Sequence, residues 1–113
     1  MSSNVMIITG WLEAHKNETL MIHKQEDDDI DDIHVKLENV VQTSYNAPHL
    51  DDYVSEHSII LEGQGIILTN GEEVTLPNDV YEIPYEGSIE FLEEDGGITI
   101  STNRAIYQIK SEQ

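Results

Sequence analysis

The sequence predicts an all-β protein, mainly antiparallel hairpins and a meander forming a sandwich or small barrel, with one short helix. Three observations carry that prediction. Apolar residues make up 38% of the chain and alternate with polar ones over short runs, the period of half-buried strands. Turn dipeptides separate those runs, Asn70-Gly71 and Asp95-Gly96 above all. Only "NAPHLDDYVSEH" shows a helical spacing of apolar residues. With 113 residues the chain reads as one domain, 1–113, large enough to bury roughly two thirds of its unfolded surface. Cysteine is absent, so packing must hold the core without disulfides or thiolate-bound metal.

From the N-terminus, "NVMIITGWLEAHKNETLMIHK" reads as two strands turning at Lys16-Asn17. Trp11, Leu20 and Ile22 would share one face and Met6, Ile8, Leu12 and Met21 the other. A hairpin apolar on both sides needs two covers, so a homodimer through it is an open expectation. The start lacks the basic region and cleavage site of a secretory signal, and no apolar run approaches the roughly 20 residues of a membrane helix. A soluble, cytoplasmic protein is expected.

Next comes "QEDDDIDDIH", with six carboxylates in the seven positions 26–32. As a loop between antiparallel strands it would bring His23 opposite His34, a candidate zinc or pH-sensitive pair. Counted from Asp27, the acids Asp27, Asp29, Asp31 and Glu38 match most of a calcium loop over 27–38, although Asp32 stands where that loop needs glycine. Residues 48 to 57 are expected to be the helix, with Pro48 at its first position and Leu50, Tyr53, Val54 and His57 three and four apart.

"SIILEGQGIIL" offers a hairpin with a four-residue glycine-containing loop, and "GIILTNGEEVTL" one with an Asn70-Gly71 turn pairing Ile67 with Val74. The latter twelve residues are similar to the second half of the Sm/Hfq-type RNA-binding motif, with Gly65, Gly71, Val74 and Leu76 in comparable places. They depart from it at Thr69 and Asn70, where that family places an arginine before its glycine. A strand, an Asn-Gly turn and a strand account for the segment equally well. At the C-terminus, Asp95-Gly96 as a type I′ turn sets Phe91 opposite Ile100 and Ile89 opposite Thr102. A turn at Asn103-Arg104 then sets Tyr107 opposite Ile100 and Ile109 opposite Ile98. Glu90, Thr99, Ser101, Gln108 and Lys110 are left on the solvated face.

Charge bounds the function. Twenty-three acids against five Lys and Arg leave a net charge of -18. Affinity for phosphate is built from Lys and Arg, so direct binding to nucleic acid or an anionic membrane is excluded. No Gly-x-Ser-x-Gly elbow, HExxH spacing or phosphate-cradling loop occurs, so no enzyme activity, cofactor or metal site is assigned. Fixed carboxylates can instead substitute for phosphates in a basic groove. The expected function is therefore inhibition of a basic nucleic-acid-binding effector or nuclease, as in phage anti-defence or toxin-immunity proteins. The partner-binding residues are Glu26, Asp27, Asp28, Asp29, Asp31 and Asp32, a flexible first patch, with Glu90, Glu93, Glu94 and Asp95 as a more rigid second patch. Two other readings stand beside this one: an acidic module of a virion or other assembly, and a calcium module through 27–38. Abundant Ile with scarce Ala and Arg suits an A/T-rich phage or bacterial genome.

Overall fold

The computed structural model describes residues 3–49 and 52–112, and the side chains of residues 4–43 and 57–112. One α-helix, α1 (Ser3–Glu13), precedes ten strands among the described residues, with a single 3-10 turn at Pro77–Asp79. These are β1 (Thr19–Glu26), β2 (Asp29–Lys36), β3 (Asn39–His49), β4 (Asp52–Glu62), β5 (Gly65–Thr69), β6 (Glu72–Thr75), β7 (Val80–Glu86), β8 (Glu90–Glu94), β9 (Gly97–Ser101) and β10 (Ile106–Glu112). They form a seven-stranded sheet in the order β6-β5-β2-β1-β10-β9-β8 and a three-stranded sheet in the order β3-β4-β7. Every pairing is antiparallel, so the all-β class with one short helix holds.

One core joins the three units. Ile22, Ile33, Ile98 and Ile100 from the larger sheet, Ile59, Leu61 and Ile83 from the smaller, and Ile8 and Leu12 from the helix belong to a single buried cluster. Burying a side chain of this size contributes about 1.5–3 kcal/mol. Tyr107 is 1% exposed and lies in β10, which fits between β1 and β9 and so joins the two halves of the larger sheet.

The helix lies at the N-terminus, where a strand was expected. Val5, Ile8, Thr9 and Leu12 are three or four apart and all buried, while Met6 and Ile7 face out. Met6 therefore does not share a face with Ile8 and Leu12. Helices this short are stabilised mainly by packing, which overrides the β-branched content of "VMIIT". Tertiary contacts add to it: Asn4 Nδ2 donates to the Ile89 carbonyl at 2.8 Å, and Gln42 Nε2 donates to Thr9 Oγ1 at 3.3 Å. The chain turns at Lys16-Asn17 as expected, with Asn17 at φ 71°, but it joins a helix to a strand.

The helix expected at 48–57 is replaced by the long hairpin of β3 and β4, with residues 50 and 51 outside those described. Cross-strand pairing runs from Asn39↔Glu62 to His49↔Asp52, and β4 pairs β7 on its other side. Backbone pairing along the whole hairpin, with β7 added from Glu56 onward, outweighs a short helical pattern. The "SIILEGQGIIL" hairpin is also corrected. β4 and β5 belong to different sheets, and Gly63-Gln64 carries the chain between them. A Cβ on Gly63 would stand 1.9 Å from the Lys36 carbonyl oxygen, so the crossover requires glycine.

The remaining turns follow the expected registers. Asn70 (φ 52°) and Gly71 (φ 82°) both take positive φ, as a type I′ turn demands, and Ile67 pairs Val74. In the C-terminal meander Phe91 pairs Ile100, Tyr107 pairs Ile100 and Ile109 pairs Ile98. Ile89, expected opposite Thr102, lies just outside the paired residues and is buried. The turn at Asp95-Gly96 is not type I′. Only Gly96 takes positive φ (71°), which spares Asp95 the steric strain of that conformation.

Candidate partner-binding surface

The acidic run is built into the centre of the larger sheet. "TLMIHKQE" and "DIDDIHVK" pair from Thr19↔Lys36 to Glu26↔Asp29, leaving Asp27-Asp28 as a two-residue turn. Asp27 reverses the chain at φ 55°, a conformation that Asp tolerates better than most residues. The flexible loop expected here is thus a tight hairpin tip. Both of its strands have neighbours further down, β10 beside β1 and β5 beside β2, but β5 pairs only Asp32–Val35, so Asp29 and Asp31 rise from backbone paired to β1 alone.

Pairing sorts the side chains onto two faces. Lys24, Glu26, Asp29 and Asp31 are on the side that packs against the three-stranded sheet, while His23, Gln25, Ile30 and Asp32 are on the open side. Lys24 Nζ is 3.1 Å from Glu26 Oε1 and 5.9 Å from the centre of the Tyr107 ring. His23 Nδ1 and Asp32 Oδ1 are 2.7 Å apart. Asp27, Asp28, Asp29 and Asp31 have no ion-pair partner among the described residues.

The register also corrects the histidine pair. His23 faces Asp32 and His34 faces Met21, because the turn centred on Asp27-Asp28 shifts the pairing from that needed to match the two histidines. The calcium-loop reading loses its loop: residues 29–36 are a strand that sends successive side chains to opposite faces. No three His, Asp or Glu side chains among the described residues are grouped to hold a metal.

A second hairpin tip stands beside the first. β5 pairs β2, so Asn70-Gly71 flanks Asp27-Asp28, and a depression of about 260 Å³ lies among Asp28, Asp29, Ile30, Asp31, Thr69 and Asn70. Glu72 and Glu73, which follow that turn, join the same acidic end. Reading the chain missed them as site residues, since nothing in the sequence says that β5 is the neighbour of β2.

Below the tip, the acids act on two tyrosines. Burial, then the fields of Tyr107, Asp31 and Glu26, hold the Tyr81 hydroxyl well above its ordinary range. That hydroxyl is buried without a hydrogen-bond partner among the described residues. Burial first and Glu26 second push Tyr107 up to about 12. Tyr81 and Tyr85 thus belong to the interior, as expected of half-buried tyrosines.

The second patch does not join the first. Glu90 pairs Ser101 at one end of β8 and Asp95 lies in the turn at the other, so the four acids spread over roughly 17 Å of edge strand. β8 is four strands from β2, a separation of roughly 19 Å. What the first patch offers chemically is acceptor oxygen in fixed positions, suited to guanidinium and ammonium groups.

Fold and surface define an acidic protein of two antiparallel sheets that presents carboxylates from a central hairpin tip. The chain belongs to the YmzB-like protein family, whose sequence profile matches residues 1–113. It is 37% identical over 108 residues to "Uncharacterized protein YmzB" of Bacillus subtilis (strain 168), an alignment covering 90% of each chain. No solved structure matches it. Among the described residues no helix is long and apolar enough to cross a membrane.

Proposed function

We propose that this chain is a non-enzymatic binding protein that inhibits a basic nucleic-acid-binding protein or nuclease by occupying its positively charged groove. One observation supports this reading above the others: Asp27, Asp28, Asp29 and Asp31 lack cationic partners among the described residues and stand at the tip of a hairpin whose two strands each gain a second neighbour further down. Same-face positions such as Asp29 and Asp31 are about 6.7 Å apart along a strand. Carboxylates held at that interval meet arginines without first being ordered, which lowers the entropic penalty of association. The basic partner releases its counterions as it would on binding a polynucleotide. Phage anti-defence and toxin immunity are the two settings that suit such an inhibitor.

The test is capture from a cytoplasmic extract on the immobilised chain at low salt, followed by competition. The expected result is a basic protein that elutes as salt rises, is displaced by added DNA or RNA, and binds an Asp27→Asn/Asp28→Asn/Asp29→Asn variant weakly. Capture that polynucleotide does not displace, or that the triple variant retains, would remove the reading.

A further inference from the structure

We propose that the open face of the seven-stranded sheet is an interface with a second copy of this chain. One side of the sheet packs on α1 and the three-stranded sheet; the other has no cover among the described residues. An antiparallel sheet open to water normally turns polar residues outward. Here the outward positions include Met21, Ile30, Leu92 and Ile106, which are 40%, 51%, 59% and 47% exposed. They are four of the seven large apolar side chains exposed among the described residues. Ile66 and Leu68 of β5 point the same way and are half-buried.

Charge identifies the occupant. The outward strand positions of this sheet hold five acids, Asp32, Glu73, Glu90, Glu94 and Glu112, out of the 23 in the chain. They also hold Lys36 and Lys110, neither of which has a carboxylate within 4.0 Å among the described residues. Two unpaired ammonium groups in a chain with so large an excess of acid mark a self-complementary face. Under two-fold symmetry each Lys110 is offered to the carboxylates of the other copy while apolar positions meet apolar positions. A chain of net charge -18 can approach its own copy only where its surface is least anionic, and this face meets that condition.

Area agrees with charge. Seven strands about 4.8 Å apart, four to eight residues long at about 3.3 Å per residue, give a footprint on the order of 600 Å². A stable interface uses about 800 Å² of accessible surface on each partner, which a corrugated face of that footprint approaches. Twisted sheets pack face to face at roughly 30°, so neither copy need flatten.

The experiment is sedimentation equilibrium on the full chain from micromolar to millimolar concentration, at low and at high salt. A dimer is expected, and it should strengthen as salt rises, because screening removes repulsion between two anionic bodies. Met21→Glu/Ile106→Glu should raise the dimer dissociation constant by about tenfold or more, the scale of losing buried anchors. Both sites are exposed in the monomer, and an unchanged circular dichroism spectrum confirms folding. Lys110→Glu should weaken the dimer independently, and Met6→Glu/Ile7→Glu on the helix should not affect it. A chain monomeric throughout, a dimer indifferent to Met21→Glu/Ile106→Glu, or a dimer lost through the helix variant overturns the inference. Salt keeps the two readings distinguishable: self-association should rise with it, whereas capture of a basic partner should fall.

Discussion

The β1–β2 hairpin and the strand β8 both concentrate carboxylates, yet β1 and β2 each pair on two sides while β8 is an edge. On the hairpin, backbone pairing fixes where Asp29 and Asp31 stand, and the tip is raised from the middle of the sheet. On β8, Glu90, Glu93 and Glu94 sit beside a row of backbone groups with no neighbouring strand among the described residues. Charge on such an edge is a common means of preventing another chain from adding to it. The same residue type therefore crowns a central hairpin in one region and lines an open edge in the other. From sequence the Asp95-Gly96 turn made the second patch the better preorganised; in the structure both patches end in two-residue turns between paired strands.

The widest contrast is expected in the strands themselves. Ile33 in β2 is fully buried, so Ile33→Ala should lower stability by about 3 kcal/mol in urea denaturation, while Leu92→Ala on β8 should change it by less than about 0.5 kcal/mol. A comparable loss at both sites would show that the edge is as integral as the centre.

Alkaline titration probes the underside of the hairpin. Tyr107 is pushed up to about 12 and Tyr81 is raised further, against an ordinary 10.0. The folded state holds these protons after the unfolded chain has released them, so their stabilising effect is complete below pH 10 and declines as pH rises through about 12. Denaturant midpoints on either side of pH 10 should fall accordingly, and Tyr107→Phe should blunt the fall.

Neutralising the two patches should separate their roles. Asp27→Asn/Asp28→Asn/Asp29→Asn is expected to weaken capture of a basic partner by about tenfold, equivalent to 1.4 kcal/mol. Glu90→Gln/Glu93→Gln/Glu94→Gln should leave capture within about threefold and promote aggregation, seen by light scattering. Tyr81→Phe removes a buried hydroxyl that has no partner among the described residues, and a gain of about 1 kcal/mol is expected. The smallest change belongs to Lys24→Gln. Its partly exposed pair with Glu26 should be worth less than about 0.5 kcal/mol by denaturation.

What the sequence disclosed depended on local signals. Asp95-Gly96 and Asn103-Arg104 bracket β9, so the meander's register followed from counting, and Asn70-Gly71 did the same for β5 and β6. Where the deciding contact is distant, counting failed. "VMIIT" is apolar at nearly every position, and only the core against which Val5, Ile8 and Leu12 pack selects the helix. Leu50, Tyr53, Val54 and His57 have helical spacing, but the partners that make 52–57 a strand lie in β3, with β7 added only at Glu56 and His57. The acidic residues were legible as a run. Their position at mid-sheet was not, because it depends on β10 and β5, neither adjacent in sequence to the hairpin they flank.

The seating of β10 between β1 and β9 sets a timetable for synthesis. Thr19 finds its neighbour in Glu112, 93 positions later, so the β6-β5-β2-β1 and β9-β8 parts of the larger sheet cannot join until that last segment is available. Until residues 106–112 are released, β1 and β9 each offer an open flank to any passing strand. A transcript broken before that segment would yield an adhesive fragment rather than a smaller version of the protein.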